Sequence, residues 1–272
     1  MNYQLGLIGY PLGHSLSPKI HTAALSACGL QGTYSLFPIH PEDRQGLKDL
    51  LARVRSGEIT GLNVTIPHKQ NVIELMDELT PTAKAIGAVN TIYLREGILI
   101  GDNTDALGFL ADLKLFLNSS FTVPHSALVL GAGGSSRAVV YALLNDGWDV
   151  TIAARRIEQA QQLSQSFEKY DLRLSTFDFQ PSTFNLIVNT TPLGMTPNTE
   201  TSPLPENVIL STHTFIYDLV YNPRETKLVR DARAQGLSAT TGLGMLIEQA
   251  ALAFEKWTGA KADRDAMQKA VA

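Results

Sequence analysis

The chain has 272 residues, 44% of them hydrophobic, with 22 basic against 26 acidic side chains and a formal charge of −4 at neutral pH. That length exceeds one typical domain and falls short of three, and the mild negative charge, with no long basic run, speaks against nucleic acid as a partner. No apolar stretch approaches membrane-spanning length, the start Met1-Asn2-Tyr3-Gln4 lacks the basic flank and apolar run of a secretion signal, and the lone Cys28 excludes an internal disulfide and fits a reducing cytoplasm. The histidines are scattered and no Cys/His cluster has ligand spacing, so no metal is expected.

In chain order, residues 5–9 read as a strand running into the loop Tyr10-Pro11-Leu12-Gly13-His14-Ser15. A helix is expected from about Pro18, a residue favoured early in helices, to Gly29. Residues 33–39 form a second strand, and 42–54 are helical, with Leu47, Leu50, Leu51 and Val54 on one face. Residues 61–66 are a strand stopped by Pro67, and a helix is expected over 71–79. Residues 89–94 and 98–101 make a hairpin around Arg95-Glu96-Gly97. A helix over 105–117 follows.

The next segment is a dinucleotide site. Ala127-Leu128-Val129-Leu130 is a short buried strand, followed at once by Gly131-Ala132-Gly133-Gly134-Ser135-Ser136. Ala138, Val139, Ala142 and Leu143 then recur at helical spacing up to Gly147, and a second strand, residues 149–153, ends in Ala154-Arg155-Arg156. Strand, glycine turn, helix and strand open a Rossmann unit. Gly131 permits the sharp turn, Gly133 lets a pyrophosphate approach the backbone, and the helix N-terminus offers unpaired N–H groups to that anion. Ser136 replaces the usual third glycine, so helix and strand are expected slightly further apart. NAD sites carry an acid at the end of the second strand; here two arginines stand there, which suits the 2′-phosphate of NADP.

Strands over 186–189 and 215–218 and a helix over 245–257, striped by Leu246, Ala250, Phe254 and Trp257, complete the pattern. Alternating β and α units imply an α/β fold. Two α/β domains are expected: residues 1–103 for substrate, 104–241 as a Rossmann-type nucleotide domain, and C-terminal helices over 242–272 returning to the first. Polar residues gather at strand ends, where such folds place ligands. These are Ser15 and Ser17, Lys69, Asn90 and Asp105. Each has a plain alternative: the serines as helix caps, Lys69 as a surface lysine, Asn90 as a turn residue, Asp105 as the N-cap of its helix. A reductase needs such a set, because a ketone accepting hydride develops negative charge on oxygen and requires a proton donor.

These motifs, in order, resemble the shikimate dehydrogenase family along nearly the whole chain. They are Gly9-Tyr10-Pro11 through His14-Ser15-Leu16-Ser17-Pro18, Asn63-Val64-Thr65-Ile66-Pro67-His68-Lys69, Gly87-Ala88-Val89-Asn90-Thr91, and residues 101–105. They continue with residues 131–137, Asn189-Thr190-Thr191-Pro192-Leu193-Gly194-Met195, Tyr217-Asp218-Leu219-Val220-Tyr221, and Gly242-Leu243-Gly244-Met245-Leu246 to Gln249. The resemblance implies an NADP-dependent oxidoreductase of aromatic amino-acid and chorismate biosynthesis, interconverting 3-dehydroshikimate and shikimate. It implies Lys69 and Asp105 as the catalytic pair. Ser15 and Ser17 would hold the substrate carboxylate, Thr65, Asn90 and Gln249 its hydroxyls, and Tyr221 would also contact it. Gly131, Ala132, Gly133, Gly134, Ser135, Arg155, Arg156, Leu219, Gly242 and Met245 match cofactor positions. The expected enzyme is cytoplasmic, a monomer or homodimer, with no membrane partner. Three positions depart from the family pattern: Ala154-Arg155-Arg156 stands where Asn-Arg-Thr is frequent, Ala106 replaces a glycine, and His68 takes an aromatic's place and is read as a packing residue. The alternative is a quinate/shikimate dehydrogenase using both NAD and NADP, against which Asn63, Asp102 and the two arginines argue.

Overall fold

The first half of the chain builds one sheet from strands β1 (Asn2–Gly9), β2 (Gln31–Pro38), β3 (Gly61–Val64), β4 (Glu78–Leu79), β5 (Thr91–Arg95) and β6 (Ile98–Asp102). The computed structural model describes residues 2–118, 125–175, 180–206 and 208–272. The spatial order is β2-β1-β3-β5-β6-β4, with β1 parallel to β2 and β3, and β5 antiparallel to β3 and β6. Helices α1 (Ser17–Ala27), α2 (Arg44–Arg55) and α3 (Pro81–Ile86) lie between strands, and α4 (Asp105–Leu117) follows β6. Helix α2 shows why the pattern works. Asp43 caps it by accepting from the Gly46 N–H at 2.8 Å, and Leu47, Leu50, Leu51 and Val54 bury one stripe against Ile8, Leu62, Val64 and Ile92. Each such side chain contributes up to roughly 1.5–3 kcal/mol of burial.

The helix expected over 71–79 does not form. Only Ile73–Leu75 makes a single 3-10 turn, and the chain then extends into β4 beside β6. Asp77 pins it there: its N–H donates to the Leu99 carbonyl, its carboxylate accepts from the Leu99 N–H at 2.8 Å, and it pairs with Arg55 at 2.6 Å. The apolar run that looked helical instead serves the core, with Val72 fully buried. The helix comes later, at α3, where Thr80 caps through the Ala83 N–H and Pro81 opens the first turn.

The second sheet comprises β7 (Ser126–Leu130), β8 (Asp149–Ala153), β9 (Arg173–Ser175), β10 (Leu186–Asn189), β11 (Phe215–Asp218) and β12 (Ala239–Thr241). Its order is β12-β11-β10-β7-β8-β9, parallel throughout. Numbered within the sheet this is the doubly wound 3-2-1-4-5-6 arrangement, whose switch point falls between β7 and β10. The central strands are sealed on both faces, so Ala127, Leu128, Val129 and Leu130 are all completely buried. Helices α5 (Gly134–Asn145), α6 (Ile157–Gln165) and α7 (Lys227–Ala234) complete the crossovers, followed by α8 (Leu243–Thr258) and α9 (Arg264–Lys269).

Two compact units result: Met1–Gly108 with Ile247–Ala272, and Phe109–Leu246. The chain changes unit inside α4 and inside α8, further along than the expected 103/104 and 241/242, because both helices run on past the loops where a boundary was expected. Helix α8 from Ile247 onward and all of α9 belong with the N-terminal unit.

Candidate active site

Strand register gathers the first-unit candidates at one edge. Ile8 pairs with Val64, Asn63 with Thr91, and Thr91 with Asp102, so the segments after β1, β3 and β6 and before β5 all emerge on the same side. There Lys69 and Asp105 form a buried ion pair, Nζ to Oδ2 at 2.7 Å. The second carboxylate oxygen accepts from Asn90 Nδ2 at 2.9 Å, and the same amide reaches Gln249 Oε1 at 3.2 Å and Thr104 Oγ1 at 2.9 Å. Asn90 cannot be turned the other way, because its Oδ1 accepts the Thr104 N–H at 2.8 Å and the Thr91 hydroxyl at 2.9 Å. Asp105 is therefore no N-cap: both of its oxygens are committed to Lys69 and Asn90.

Neighbours that the motif reading left without a role hold this cluster. Asn103 accepts the Ala106 N–H at 3.3 Å, which fastens the start of α4, and donates to the Ala88 carbonyl at 2.9 Å. Asp102 accepts from Thr80 and from the Asn103 N–H, and pairs with Lys256 at 2.7 Å. Asn63 accepts the Tyr34 hydroxyl at 2.8 Å and donates to the Asn90 carbonyl at 3.3 Å. His68 does more than pack: its Nε2 lies 2.7 Å from the Ile39 carbonyl, and since a carbonyl only accepts, Nε2 carries the proton and ties down the turn bearing Lys69. Asn-Thr-Asp after a strand was the available signal for these supports; their partners were invisible because they include Tyr34 of β2, Thr80 ahead of α3 and Lys256 of α8.

Ser17 is buried while Ser15 and Thr65 are half-buried. Ser15 Oγ accepts from the Ser17 N–H at 3.2 Å, so it does act as a local cap. Yet the hydroxyl protons of Ser15, Ser17 and Thr65 meet no acceptor among the described residues. Three unspent donors on the same side of the sheet as the Lys69 ammonium suit an anionic, hydroxylated ligand.

The second unit holds the glycine turn. Gly131 has φ of +114°, a region that L side chains avoid, and its N–H donates to the Ala153 carbonyl at 2.8 Å. Gly133 is exposed, and a Cβ there would meet nothing within 4 Å, leaving an open cradle at the start of α5. Arg155 and Arg156 stand exposed at the end of β8, unpaired among the described residues, with no acid at the strand end. Glycine cradle, helix N-terminus and two free guanidinium groups fit a dinucleotide bearing a 2′-phosphate. The ends of β11 and β12 bring Leu219 and Gly242 together: the Leu219 N–H donates to the Asn189 carbonyl at 2.9 Å and the Gly242 N–H to Val220 at 3.3 Å, with Met245 one turn on. Tyr221 also lies in this unit, half-buried, and burial raises its hydroxyl above the ordinary tyrosine range, so it stays protonated.

Residues 7–92 match the shikimate dehydrogenase substrate binding domain, 119–191 the shikimate / quinate 5-dehydrogenase domain, and 242–272 the shikimate 5′-dehydrogenase C-terminal domain. A shikimate dehydrogenase (NADP(+)) of Salinibacter ruber is 43% identical over 97% of this chain and 94% of its own. The chain belongs to the shikimate dehydrogenase family. Two solved family structures resemble it throughout. Shikimate 5-dehydrogenase from Thermus thermophilus, in complex with NADP(H) and shikimate, has a TM-score of 0.88 at 38% identity, covering 98% of each chain. Quinate dehydrogenase from Corynebacterium glutamicum, in complex with NAD, has a TM-score of 0.90 at 31% identity, covering 100% of this chain and 99% of that one. Among the described residues no helix is long and apolar enough to cross a membrane.

Proposed function

We propose that this chain catalyses the NADPH-dependent reduction of 3-dehydroshikimate to shikimate and its reverse, with Lys69 and Asp105 as the proton-transfer pair. The observation that carries the reading is the buried Lys69–Asp105–Asn90–Gln249 cluster, with three unspent hydroxyls on the same side of the sheet, in a chain of this family. NADPH, when bound, supplies the hydride. As charge develops on the carbonyl oxygen, the Lys69 ammonium hands it a proton, and in reverse the neutral amine takes the proton back. Asp105 keeps that ammonium on station, and Asn90, Gln249 and Thr65 address the ring hydroxyls. Ser15 and Ser17 donate to the carboxylate, and Tyr221 adds a further donor.

The cofactor lies along Gly131, Ala132, Gly133, Gly134 and Ser135. Arg155 and Arg156 would take the 2′-phosphate, and Leu219, Gly242 and Met245 would also contact the cofactor. The unit of residues 1–108 and 247–272 forms the substrate part, and 109–246 the NADP part. The enzyme works in the cytoplasm as a monomer or homodimer, without nucleic acid or membrane.

Following the absorbance of the reduced cofactor with shikimate or quinate, each with NADP or NAD, tests the reading. Two charge-assisted hydrogen bonds give on the order of 10²-fold preference for NADP, less where solvent screens them. Shikimate is turned over far faster than quinate. Replacing Arg155 and Arg156 with Ala raises the NADP KM and leaves that for NAD nearly unchanged. Equal use of NAD and NADP, or of quinate and shikimate, refutes the assignment in favour of the dual-cofactor quinate/shikimate enzyme.

A further inference from the structure

We propose that Asp112 and Tyr217 are positioning residues for the cofactor side of the reaction, holding the chain at Gly242–Met245 where it enters α8. The inference rests on the reading that Gly242 and Met245 border NADP. Helix α4 presents Phe109, Asp112 and Phe116 on one face, three and four residues apart. The fully buried Tyr217 of β11 sits against that face, its ring edge-on to Phe109 at 5.1 Å and 75° and to Phe116 at 6.2 Å and 76°. Its hydroxyl donates to Asp112, and the Met245 backbone lies close by. The Asp112 carboxylate lies so close to Gly244 that any side chain at 244 would collide with it.

A helix leaves its first N–H groups without partners inside the helix, and its N-terminus is electropositive. The residue before α8 is Gly242, which has no side chain with which to cap it. Tyr217 fixes the Asp112 carboxylate by donating to it, and Asp112 places that charge at the positive end, against Gly244. The cap of α8 is thus built from β11 and α4, all within the second unit. Burial and the adjacent Asp112 charge hold the Tyr217 hydroxyl well above its ordinary range, so it remains a donor at any working pH. Removing the hydroxyl takes away the donor that holds the Asp112 carboxylate at Gly244 and loosens Gly242 and Met245 together, while Ser15 and Ser17 belong to the other unit.

Tyr217→Phe keeps the ring between its two phenylalanines and deletes only the hydroxyl. NADPH binding by titration of cofactor fluorescence, steady-state constants and melting midpoints are measured on the full chain. The expected result is an NADPH Kd raised about tenfold with the NADP KM following it, while the shikimate KM and the NADP-over-NAD ratio stay within about twofold. Asp112→Asn retains a carbonyl oxygen for the Tyr217 hydroxyl and returns to within about threefold of the parent; Asp112→Leu reproduces the Tyr217→Phe loss. A lowered melting midpoint with unchanged NADPH Kd per folded molecule overturns the proposal, as does an Asp112→Asn variant as impaired as Asp112→Leu. If Tyr217→Phe fails to fold, the two Asp112 variants decide. A parent that binds no NADPH overturns the functional reading and this inference with it, whereas a parent that binds while every variant matches it overturns this inference alone.

Discussion

Lys69 and Asp105 meet across 2.7 Å with both side chains almost removed from solvent. A buried ion pair is poor evidence of added stability, because desolvating both charges offsets most of their attraction. Its retention makes sense where a proton must be delivered at one place. Lys69→Ala is expected to lower turnover by about 10²–10⁴-fold, the usual contribution of a positioned acid–base group, with a much smaller change in the shikimate KM. Asp105→Asn loses a comparable factor, and the double variant is little worse than either, since the two act as one unit. Turnover and melting midpoint measured on the same four proteins separate this from a merely structural pair, for which Lys69→Ala would melt lower yet turn over normally per folded molecule.

Among the elements, the β7–α5 turn has its own wiring. Thr190 Oγ1 lies 2.7 Å from the Leu130 carbonyl, which can only accept, so the threonine's one proton goes there. Ser136 Oγ, 2.5 Å from Thr190 Oγ1, must then donate to it, and accepts in turn from the Gly133 N–H at 3.0 Å. A one-way chain thus runs from the glycine turn across the switch point to the end of β7. Serine in the place of the third glycine is what closes it, and its side chain is fully buried. Ser136→Ala is expected to cost about 1 kcal/mol, by leaving the half-buried Thr190 oxygen without its Ser136 donor. Thr190→Val costs a similar amount, and the pair together less than the sum, because a chain broken once has little left to lose. Urea midpoints of the four proteins check this; strict additivity would mean that the hydroxyls do not act together.

Across the whole molecule, acid pulls the two units in opposite directions. In the first unit His21 is completely buried, stacked on Tyr34 at 4.3 Å, and neither ring nitrogen makes a hydrogen bond of ordinary geometry. Desolvation pushes its pKa down to about 3, with the Asn63 side chain a smaller opposing influence. The unfolded chain takes up that proton near 6.5, so this contribution to stability is complete above 6.5 and is lost as pH falls toward 3. In the second unit burial pushes Asp218 up to about 6, against hydrogen bonds from Thr226, Val220 and Asn189. Here the folded state binds the proton first, so stability is gained as pH falls from about 6 to the unfolded value of 3.8. A tenfold change in proton affinity is worth about 1.4 kcal/mol, so each effect amounts to a few kcal/mol. Melting midpoints against pH are expected to fall less steeply on the acid side for His21→Phe and more steeply for Asp218→Asn. A His21→Phe profile parallel to the parent's would show that the ring is solvated in the folded chain.

Periodicity and punctuation along the sequence were enough for the alternating α/β pattern, the strand–glycine–helix unit, the arginines at the end of β8 and the succession of family motifs. Those features are local: a turn needs its glycine, and a buried strand needs its apolar run, wherever the rest of the chain goes. Residues 71–79 carry a helical period yet extend, because their fate depends on Leu99, more than twenty residues away, which Asp77 grips from both sides. Lys69, Asn90, Asp105 and Gln249 were recognisable one by one, each with a bland alternative. Only the tertiary structure decided that Asn90 touches both Asp105 and Gln249, which lie 15 and 159 residues away from it in the chain. The same holds for the Ser136–Thr190 chain and for the Asp112–Tyr217 cap. A hydrogen bond between distant residues leaves no period in the sequence, because its geometry comes from strand register and helix packing rather than from the spacing of the residues that make it.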